Sequence, residues 1–305
     1  MRFSVRVPAS SANLGSGFDT LAIALGLYLT LEIEAGGDGG EPRVVGGPDL
    51  RGGADLVLAG LRVAAAAAGV EPPACTLHAI SEIPVARGLG SSAAALVAGL
   101  VAGNHLLGEP LAPTALLELA TTIEGHGDNV SASLFGGVTL ALTTEAGVLC
   151  RQVEVAGELH AVLFIPDELG LTAEARAVLP PAVPRGDAVA NLARTGLLVL
   201  ALTSGAFDLL GEAMADRLHQ PYRAALFPAV DPLIAAAREA GAYGACLSGA
   251  GPSVLALTAP QCARAVRDNL EAVAARRDLP GEAMLLDIAH EGVTLTAATA
   301  SSARG

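Results

Sequence analysis

The segment 84–94 combines glycines and hydroxyl side chains in a pattern suited to binding phosphate. It runs Pro84-Val85-Ala86-Arg87-Gly88-Leu89-Gly90-Ser91-Ser92-Ala93-Ala94. Two glycines allow a tight turn and let a ligand approach the backbone closely. Two serines then open an alanine-rich stretch, and the free N–H groups at the start of a helix attract anions. The pattern therefore favours a phosphate-binding loop over an ordinary helix cap.

This loop differs from two familiar nucleotide-binding motifs. All 18 basic residues are arginine, so the chain has no lysine for a Walker loop or a Schiff base. A dinucleotide-binding loop would carry a third glycine and follow the first strand of a βαβ unit. A Walker-type loop and a dinucleotide-binding loop are therefore both excluded.

Composition limits the partners that the chain can bind. The net charge is −13, and no basic cluster is longer than Arg276-Arg277, whereas binding a polyanion takes a concentrated cationic surface. Aromatic residues make up 3% and tryptophan is absent, which argues against a platform for stacking bases. Apolar runs such as 93–103 fall short of the ~20 residues that span a bilayer. We expect neither nucleic acid nor membrane as a partner.

The four cysteines show no metal-ligand spacing and no pairing pattern. They are Cys75, Cys150, Cys246 and Cys262. Residues 1–7 alternate like a strand and lack the apolar region of a secretion signal. We therefore expect reduced thiols in a cytoplasmic protein.

Three separated segments resemble the GHMP kinases. They are PASSANLGSGFD (8–19), PVARGLGSSAA (84–94) and CLSGAGPSV (246–254), and their order and spacing fit across nearly the whole chain. Within this superfamily the resemblance is to homoserine kinases, through the first segment and through EGHGDNV (124–130), TAEAR (172–176) and DRLHQPYR (216–223). One departure is Gly127, where homoserine kinases usually carry proline.

The resemblance implies ATP, Mg²⁺ and L-homoserine as ligands, with transfer to the hydroxyl group giving O-phospho-L-homoserine on the route to threonine. Residues 84–94 would bind the nucleotide, and Ser92 and Glu124 would hold Mg²⁺, which takes few protein ligands. Arg176 and Arg223 would bind the substrate carboxylate, because a planar guanidinium can grip it bidentately.

The remaining substrate contacts implied by the resemblance are Asn13, Asp19 and His126. The implied catalytic residues are Asn129, Thr172 and Arg176. A homodimer is also implied.

The proton acceptor is unusual under this interpretation. Asn129 would occupy the place where mevalonate kinases carry an aspartate base, and a neutral amide cannot accept a proton. We expect direct transfer without a carboxylate base, because a dissociative transition state needs little prior deprotonation. Asp128 is expected to be structural and to accept backbone N–H groups of its loop.

The elements that must position these residues indicate a two-domain α+β protein. The resemblance implies the GHMP kinase fold, with a mixed-sheet N-terminal domain at 1–155, a ferredoxin-like C-terminal domain at 156–305, and the division between 150 and 165. The pattern predicts strands at 2–8, 21–35, 74–80, 137–144, 148–155, 159–165, within 243–258 and at 283–288. It predicts helices at 54–69, 91–107, 113–124, 173–178, 187–203, 205–217, 229–240 and 260–277. Residues 36–53 would form a surface excursion, and 296–305 a frayed tail.

Two alternatives remain open. One is another kinase of the superfamily, acting on mevalonate, a diphosphocytidyl sugar alcohol or shikimate. These substrates lack an ammonium group, so Asp19 would lose its partner. The other is a sensor that binds ATP and a metabolite without turnover. The intact Ser92, Glu124 and glycine loops argue against a sensor.

Overall fold

A mixed sheet organises the first half of the chain. The computed structural model describes residues 1–36, 40–46 and 52–297. Within these residues the sheet has seven strands, namely β1 (Arg2–Ala12), β2 (Leu21–Ala35), β3 (Arg43–Gly46), β4 (Cys75–Ser81), β5 (Val138–Thr144), β6 (Gly147–Val153) and β11 (Thr294–Ala297). Their order is β11-β1-β2-β4-β3, with β5 paired to β2 and β6 paired to β5. Among these described strands, only β3 and β4 pair in parallel.

In the described part of the chain, four helices accompany this sheet. They are α1 (Gly53–Ala67), α2 (Ser91–Leu106), α3 (Pro113–Glu124) and α4 (Asp128–Phe135). Helix α2 packs against α1, α3, α4 and the sheet, and residues 93–104 are all buried. A helix that is apolar on every side belongs in a core. Its first turn is therefore held rigidly at the point where the glycine loop ends.

A second sheet forms the ferredoxin-like unit. Its antiparallel order is β10-β7-β9-β8, built from β7 (His160–Pro166), β8 (Ala242–Leu247), β9 (Val254–Thr258) and β10 (Gly281–Leu286). Helices α9 (Val230–Glu239) and α10 (Pro260–Ala275) pack on it. Strand, helix, two strands, helix and strand in this order confirm the ferredoxin-like prediction. Between β7 and α9 lie α5 (Thr172–Ala177), α6 (Arg185–Ser204), α7 (Leu210–Ala213) and α8 (Gln220–Arg223).

Some predicted elements are wrong in extent. The helix at 205–217 is a 3₁₀ turn at Phe207–Leu209 followed by the short α7, because Gly205, with φ of 75°, ends α6 in the left-handed conformation. Strand β1 continues past residue 8 to Ala12 through a register shift. Helices α4 and α8 and strand β3, which lies inside the expected excursion at 36–53, were not predicted. The expected frayed tail is wrong at residues 296 and 297, because they belong to β11, which pairs with β1. Residues 37–39 and 47–51 of that excursion, and 298–305 of the expected tail, lie outside the described residues.

One segment of the second half returns to the first sheet. Strand β11 pairs with β1, with Val5 opposite Leu295, and Leu25 forms an isolated bridge with Ile288. The division of the chain near 155 stays a prediction. All four cysteines are free thiols, and none of the helices in the described ranges is long and apolar enough to cross a membrane.

Candidate active site

A cleft brings together most of the residues that the sequence pointed to. It spans about 570 Å³, counting the space open to solvent, and both halves of the chain contribute to its walls. The lining residues are Ala12, Asn13, Asp19, Ala86, Gly88, Leu89, Gly90, Ser91, Ser92, Glu124, His126, Asp128, Asn129, Gly170, Thr172, Arg176, Arg223, Gly249 and Ala250.

The glycine loop between β4 and α2 is one wall of the cleft. Gly88 and Gly90 have φ of +76° and +66°, a left-handed conformation that side chains disfavour. A Cβ on Gly88 would lie 2.2 Å from the Ser248 carbonyl oxygen, and one on Gly90 would lie 2.1 Å from the Ser10 hydroxyl. The Ser10 N–H donates to the Leu89 carbonyl at 3.1 Å. The loop is thus held between β1 and the third motif segment.

The structure divides the predicted nucleotide-binding residues into groups. Six of them line the cleft, namely Ala86, Gly88, Leu89, Gly90, Ser91 and Ser92, and Val85 lines an adjoining pocket. Pro84 lines neither cavity, and Ala93 and Ala94 are buried in the core. The Arg87 guanidinium donates to the carbonyls of Pro166 (2.6 Å) and Asp167. Arg87 therefore fastens the loop to the end of β7.

Ser92 and Glu124 form a pair of oxygen donors on the cleft wall. The Ser92 hydroxyl donates to Glu124 Oε1 at 2.6 Å, and both residues line the cleft. Ser92 lies in the first turn of α2, and Glu124 is the last residue of α3. A hydroxyl beside a carboxylate is a hard oxygen donor set of the kind that Mg²⁺ prefers. The two residues therefore fit the predicted metal.

Asp19 and Arg176 face each other across the cleft. Arg176 Nη1 and Nη2 donate to Asp19 Oδ2 and Oδ1 at 3.1 and 2.9 Å, which is the bidentate geometry of a strong pair. The hydrogen bonds that Arg176 donates to Asp19 raise the pKa of Arg176 above its ordinary value. The sequence assigned these residues separate ligand roles and did not predict that they pair with each other.

Asn13 organises the loop between β1 and β2. Its Nδ2 donates to the Gly249 carbonyl at 2.9 Å, and its Oδ1 accepts the Asp19 N–H at 3.0 Å. Asn13, Leu14 and Asp19 all have positive φ, a strained conformation that is concentrated at functional sites. This loop therefore presents the Asp19 carboxylate at a fixed place.

Arg223 is a buried cation at the back of the cleft. Its side chain is 2% exposed, Nε donates to the Ala175 carbonyl at 3.0 Å, and Nη1 donates to the Gly249 carbonyl at 3.1 Å. Burial, together with the charge of Arg176, lowers the pKa of Arg223 to about 10, so it remains charged at neutral pH. Two guanidinium groups close together favour an anionic ligand.

His126, Asp128 and Asn129 form the floor beside α4. Asp128 Oδ1 accepts the Asn129 N–H at 2.7 Å and lies 2.5 Å from His126 Nδ1. Burial alone would lower the pKa of His126, but the hydrogen bond and charge of Asp128 outweigh it and raise the pKa. The Asn129 amide oxygen accepts from the Ser10 hydroxyl at 2.8 Å. Asp128 thus accepts one backbone N–H of its loop, as expected, and also His126, which was not predicted.

A second, more apolar pocket adjoins the cleft. It spans about 680 Å³, counting the space open to solvent, and shares Ala86, Ser91, Ser92, Gly170 and Thr172 with the cleft. Its apolar walls are Leu29, Leu56, Val85, Ala95 and Leu171. Such a pocket suits a flat, weakly polar ring system.

The chain is similar to known proteins along most of its length. The family model for the GHMP kinases N terminal domain matches residues 55–137, and that for the GHMP kinases C terminal matches residues 198–276. A homoserine kinase from Desulfitobacterium hafniense is 43% identical over 296 residues, covering 95% of this chain and 99% of that protein. One from Moorella thermoacetica is 44% identical over 257 residues, covering 83% and 86%.

Solved structures show the same fold. The crystal structure of a homoserine kinase from Cytophaga hutchinsonii superposes with a TM-score of 0.88 at 28% identity, covering 96% of this chain and 97% of that one. A mevalonate kinase from L. major has a TM-score of 0.66 at 15% identity, covering 95% of each chain, and this likeness concerns the fold alone. The fold and the cleft define an ATP-dependent kinase with the two-domain GHMP architecture. Within the GHMP kinases, the chain belongs to the homoserine kinase family.

Proposed function

We propose that the protein transfers the γ-phosphoryl group of ATP to the side-chain hydroxyl of L-homoserine, giving ADP and O-phospho-L-homoserine. The observation that carries the proposal is the set of charges beside the glycine loop. Three carboxylates line the cleft, and of these Asp19 lies against Arg176, one of the two arginines, Arg176 and Arg223, that line it as well. These charges complement an ammonium and a carboxylate on one small molecule. We further propose that the reaction serves threonine synthesis in the cytoplasm.

The nucleotide would occupy both cavities. The adenine ring suits the apolar pocket, and the phosphates suit the first turn of α2, where unpaired N–H groups and the helix dipole favour anions. The shared wall at Ser91 and Ser92 would then lie beside the phosphates. This arrangement supports phosphate binding without a lysine.

Ser92 and Glu124 would hold Mg²⁺ together with the phosphates. When bound, the ion would neutralise charge that develops on the transferred group. Asp19, His126 and Asp128 also bring donor atoms within 4.8 Å of one another. That cluster is already engaged, since Asp19 pairs with Arg176 and Asp128 with His126. It suits an organic ammonium better than a metal ion.

Substrate binding would open the Asp19–Arg176 pair. The ammonium group of homoserine would bind the Asp19 carboxylate, and the carboxylate of homoserine would bind Arg176 and Arg223. Binding of the zwitterion would replace the Asp19–Arg176 ion pair with two ion pairs to the substrate. Neither the Asp19 nor the Arg176 side chain would then lack an opposite charge. His126 and Asn13 would line the remaining surface of the substrate.

The hydroxyl would then face the phosphates beside Asn129 and Thr172. Thr172, the first residue of α5, lines both cavities, and Arg176 one turn later would stabilise charge on the transferred group. Asn129 cannot accept a proton, and Asp128 Oδ1 is already occupied by His126 and a backbone N–H. These contacts support direct transfer, with the proton passing to the phosphoryl group.

A coupled assay of ADP release tests this proposal against its alternatives. Homoserine, mevalonate and shikimate are supplied in parallel with ATP and Mg²⁺. We expect turnover with homoserine alone. Turnover with a substrate that lacks an ammonium would indicate another kinase of the superfamily, and nucleotide binding without turnover would indicate a sensor.

We also propose that the protein forms a homodimer through the outer face of α6. Leu192 and Leu200 are 74% and 57% exposed, and each lies four residues from the exposed Gly196. A two-fold axis at Gly196 would place each Leu192 against Leu200 of the partner subunit. Light scattering should give twice the chain mass for the native protein and a single chain mass for Leu192→Arg. A native monomer would refute the proposal.

A further inference from the structure

A fully buried histidine lies behind the cleft without lining it. His219 has no exposed surface. Its Nε2 lies 2.9 Å from the Gly15 carbonyl oxygen, and its Nδ1 lies 3.2 Å from Arg223 Nη1. The ring also stacks on Phe18, with centroids 5.0 Å apart. One imidazole thus joins the loop that carries Asp19 to the buried arginine.

The partners of His219 fix its protonation. Every nitrogen of a guanidinium is a donor, so Nδ1 must be the acceptor from Arg223 and carries no proton. Nε2 then carries the proton and donates to Gly15. The Asp216 carboxylate is 3.7 Å from Nε2, beyond hydrogen-bond distance. Burial lowers the pKa of His219, in agreement with a neutral ring.

Asp216 holds the backbone around the imidazole. Its two oxygens accept the N–H groups of Leu218, His219 and Gln220 at 2.9, 2.8 and 2.7 Å. The Asn191 amide donates to the same carboxylate at 3.0 Å. With its backbone fastened in this way, His219 presents Nδ1 to Arg223 in a single direction.

Arg223 has its orientation set by three acceptors. Nε and Nη1 donate to the carbonyls of Ala175 and Gly249, and Nη1 also contacts His219. None of the hydrogen bonds among the described residues uses Nη2, while Arg223 itself lines the cleft. Without Nδ1, Nη1 would keep only the Gly249 carbonyl as acceptor, and the guanidinium would gain freedom to turn.

We propose that His219 is a positioning residue for recognition of the substrate carboxylate. Its neutral imidazole accepts from Arg223 and turns the free edge of the guanidinium toward the cleft, without touching substrate. This inference rests on the proposed function, because it takes the anionic ligand of Arg223 to be the homoserine carboxylate. The consequence is that His219 controls the KM for homoserine and not the KM for ATP.

Two substitutions test the two ring nitrogens of His219 separately. In His219→Asn the amide oxygen can replace Nδ1 and accept from Arg223, while the link to Gly15 is lost. In His219→Gln the amide nitrogen can replace Nε2 and donate to Gly15, while the acceptor for Arg223 is lost. We expect the glutamine variant to raise the KM for homoserine about tenfold, the typical effect of losing one hydrogen bond to a charged group. We expect the asparagine variant to stay within about threefold of wild type.

Steady-state kinetics with homoserine varied and ATP saturating measures the difference. The KM for ATP should be unchanged in both variants, and His160→Gln, which replaces a histidine outside the cleft, is the matched control. Equal KM increases in the two variants would reduce His219 to a structural role and overturn the proposal. Unchanged values in both would overturn it as well.

The wild-type protein provides a measurement that does not depend on the variants folding. Nitrogen-15 NMR of the histidine rings should show the Nε2–H tautomer of His219 at neutral pH. A proton on Nδ1 would exclude acceptance from Arg223 and overturn the inference. Absence of homoserine turnover by the wild type would refute the proposed function instead, and the tautomer would still decide the contact with Arg223.

Discussion

Replacing Arg176 by lysine should raise the KM for homoserine about tenfold and leave the KM for ATP unchanged. Lysine keeps the positive charge but cannot offer two parallel N–H groups to one carboxylate. The change therefore tests the geometry of the guanidinium and not its charge. Arg176 already shows this geometry toward Asp19, with contacts of 3.1 and 2.9 Å.

The magnitude follows from the exposure of the site. Losing one hydrogen bond to a charged group costs roughly 1.5–3 kcal/mol. The side chains of Arg176 and Asp19 are 39% and 34% exposed, so solvent screening favours the lower end. About 1.4 kcal/mol corresponds to the tenfold change in KM. An ion pair this exposed contributes ~0–1 kcal/mol to folding, so the free energy of unfolding should fall by less than about 1 kcal/mol.

Initial rates with homoserine varied at saturating ATP measure the change in KM. Urea unfolding measures the change in the free energy of unfolding. Arg217→Lys is the matched control, because Arg217 pairs with Asp187 at 3.1 Å with side chains that are 51% and 29% exposed, outside the cleft. The control should leave both KM values unchanged. A wild-type KM for homoserine in Arg176→Lys would remove Arg176 from the substrate site and contradict the reasoning.

Three further predictions concern the metal site, proton transfer and pH. Glu124→Gln should lower kcat about a hundredfold or more with the melting temperature unchanged, and a wild-type kcat in a Mg²⁺ titration would place the ion elsewhere. Asp128→Asn should keep at least about a tenth of wild-type kcat, whereas a thousandfold loss without loss of thermal stability would identify Asp128 as the base. Burial lowers the pKa of His219 in the folded protein. Below the ordinary histidine pKa of about 6.5, the His219 side chain therefore binds a proton in the unfolded chain but not in the folded protein. The free energy of unfolding of the wild type should therefore fall relative to that of His219→Asn as the pH drops below about 6.5, by up to ~1.4 kcal/mol per pH unit. If urea unfolding gave the same pH dependence for both proteins, a neutral His219 would be contradicted.

The sequence predicted best where a local pattern has a direct structural cause. The glycine-serine segment forms a loop with two left-handed glycines and then opens α2, as expected from its composition. The two-domain fold followed from three linked motifs and is confirmed. The close approach of Ser92 and Glu124 agrees with their predicted common role, although no pattern within either segment shows that they meet.

The prediction failed where tertiary contacts decide the structure. The apolar spacing of 205–217 suits a helix, but Gly205 ends α6 and the chain turns in 3₁₀ form. The pairing of Asp19 with Arg176 joins residues 157 positions apart, and no local spacing encodes such a contact. The sequence pattern places His219 within the motif DRLHQPYR (216–223) and predicts no role for it. Its signal was Asp216 three residues earlier, which accepts the N–H groups of the turn.

The pairing of β11 with β1 has a consequence for how the chain folds during translation. Strand β1 leaves the ribosome long before β11, yet its edge residues Phe3 to Arg6 pair with residues 294–297 of β11. Until β11 has been translated, that edge has no native neighbour, and an unpaired edge is a template for pairing with other chains. A nascent polypeptide in this state is vulnerable to aggregation and a natural client for chaperones. The first sheet therefore stays incomplete until β11 has been translated.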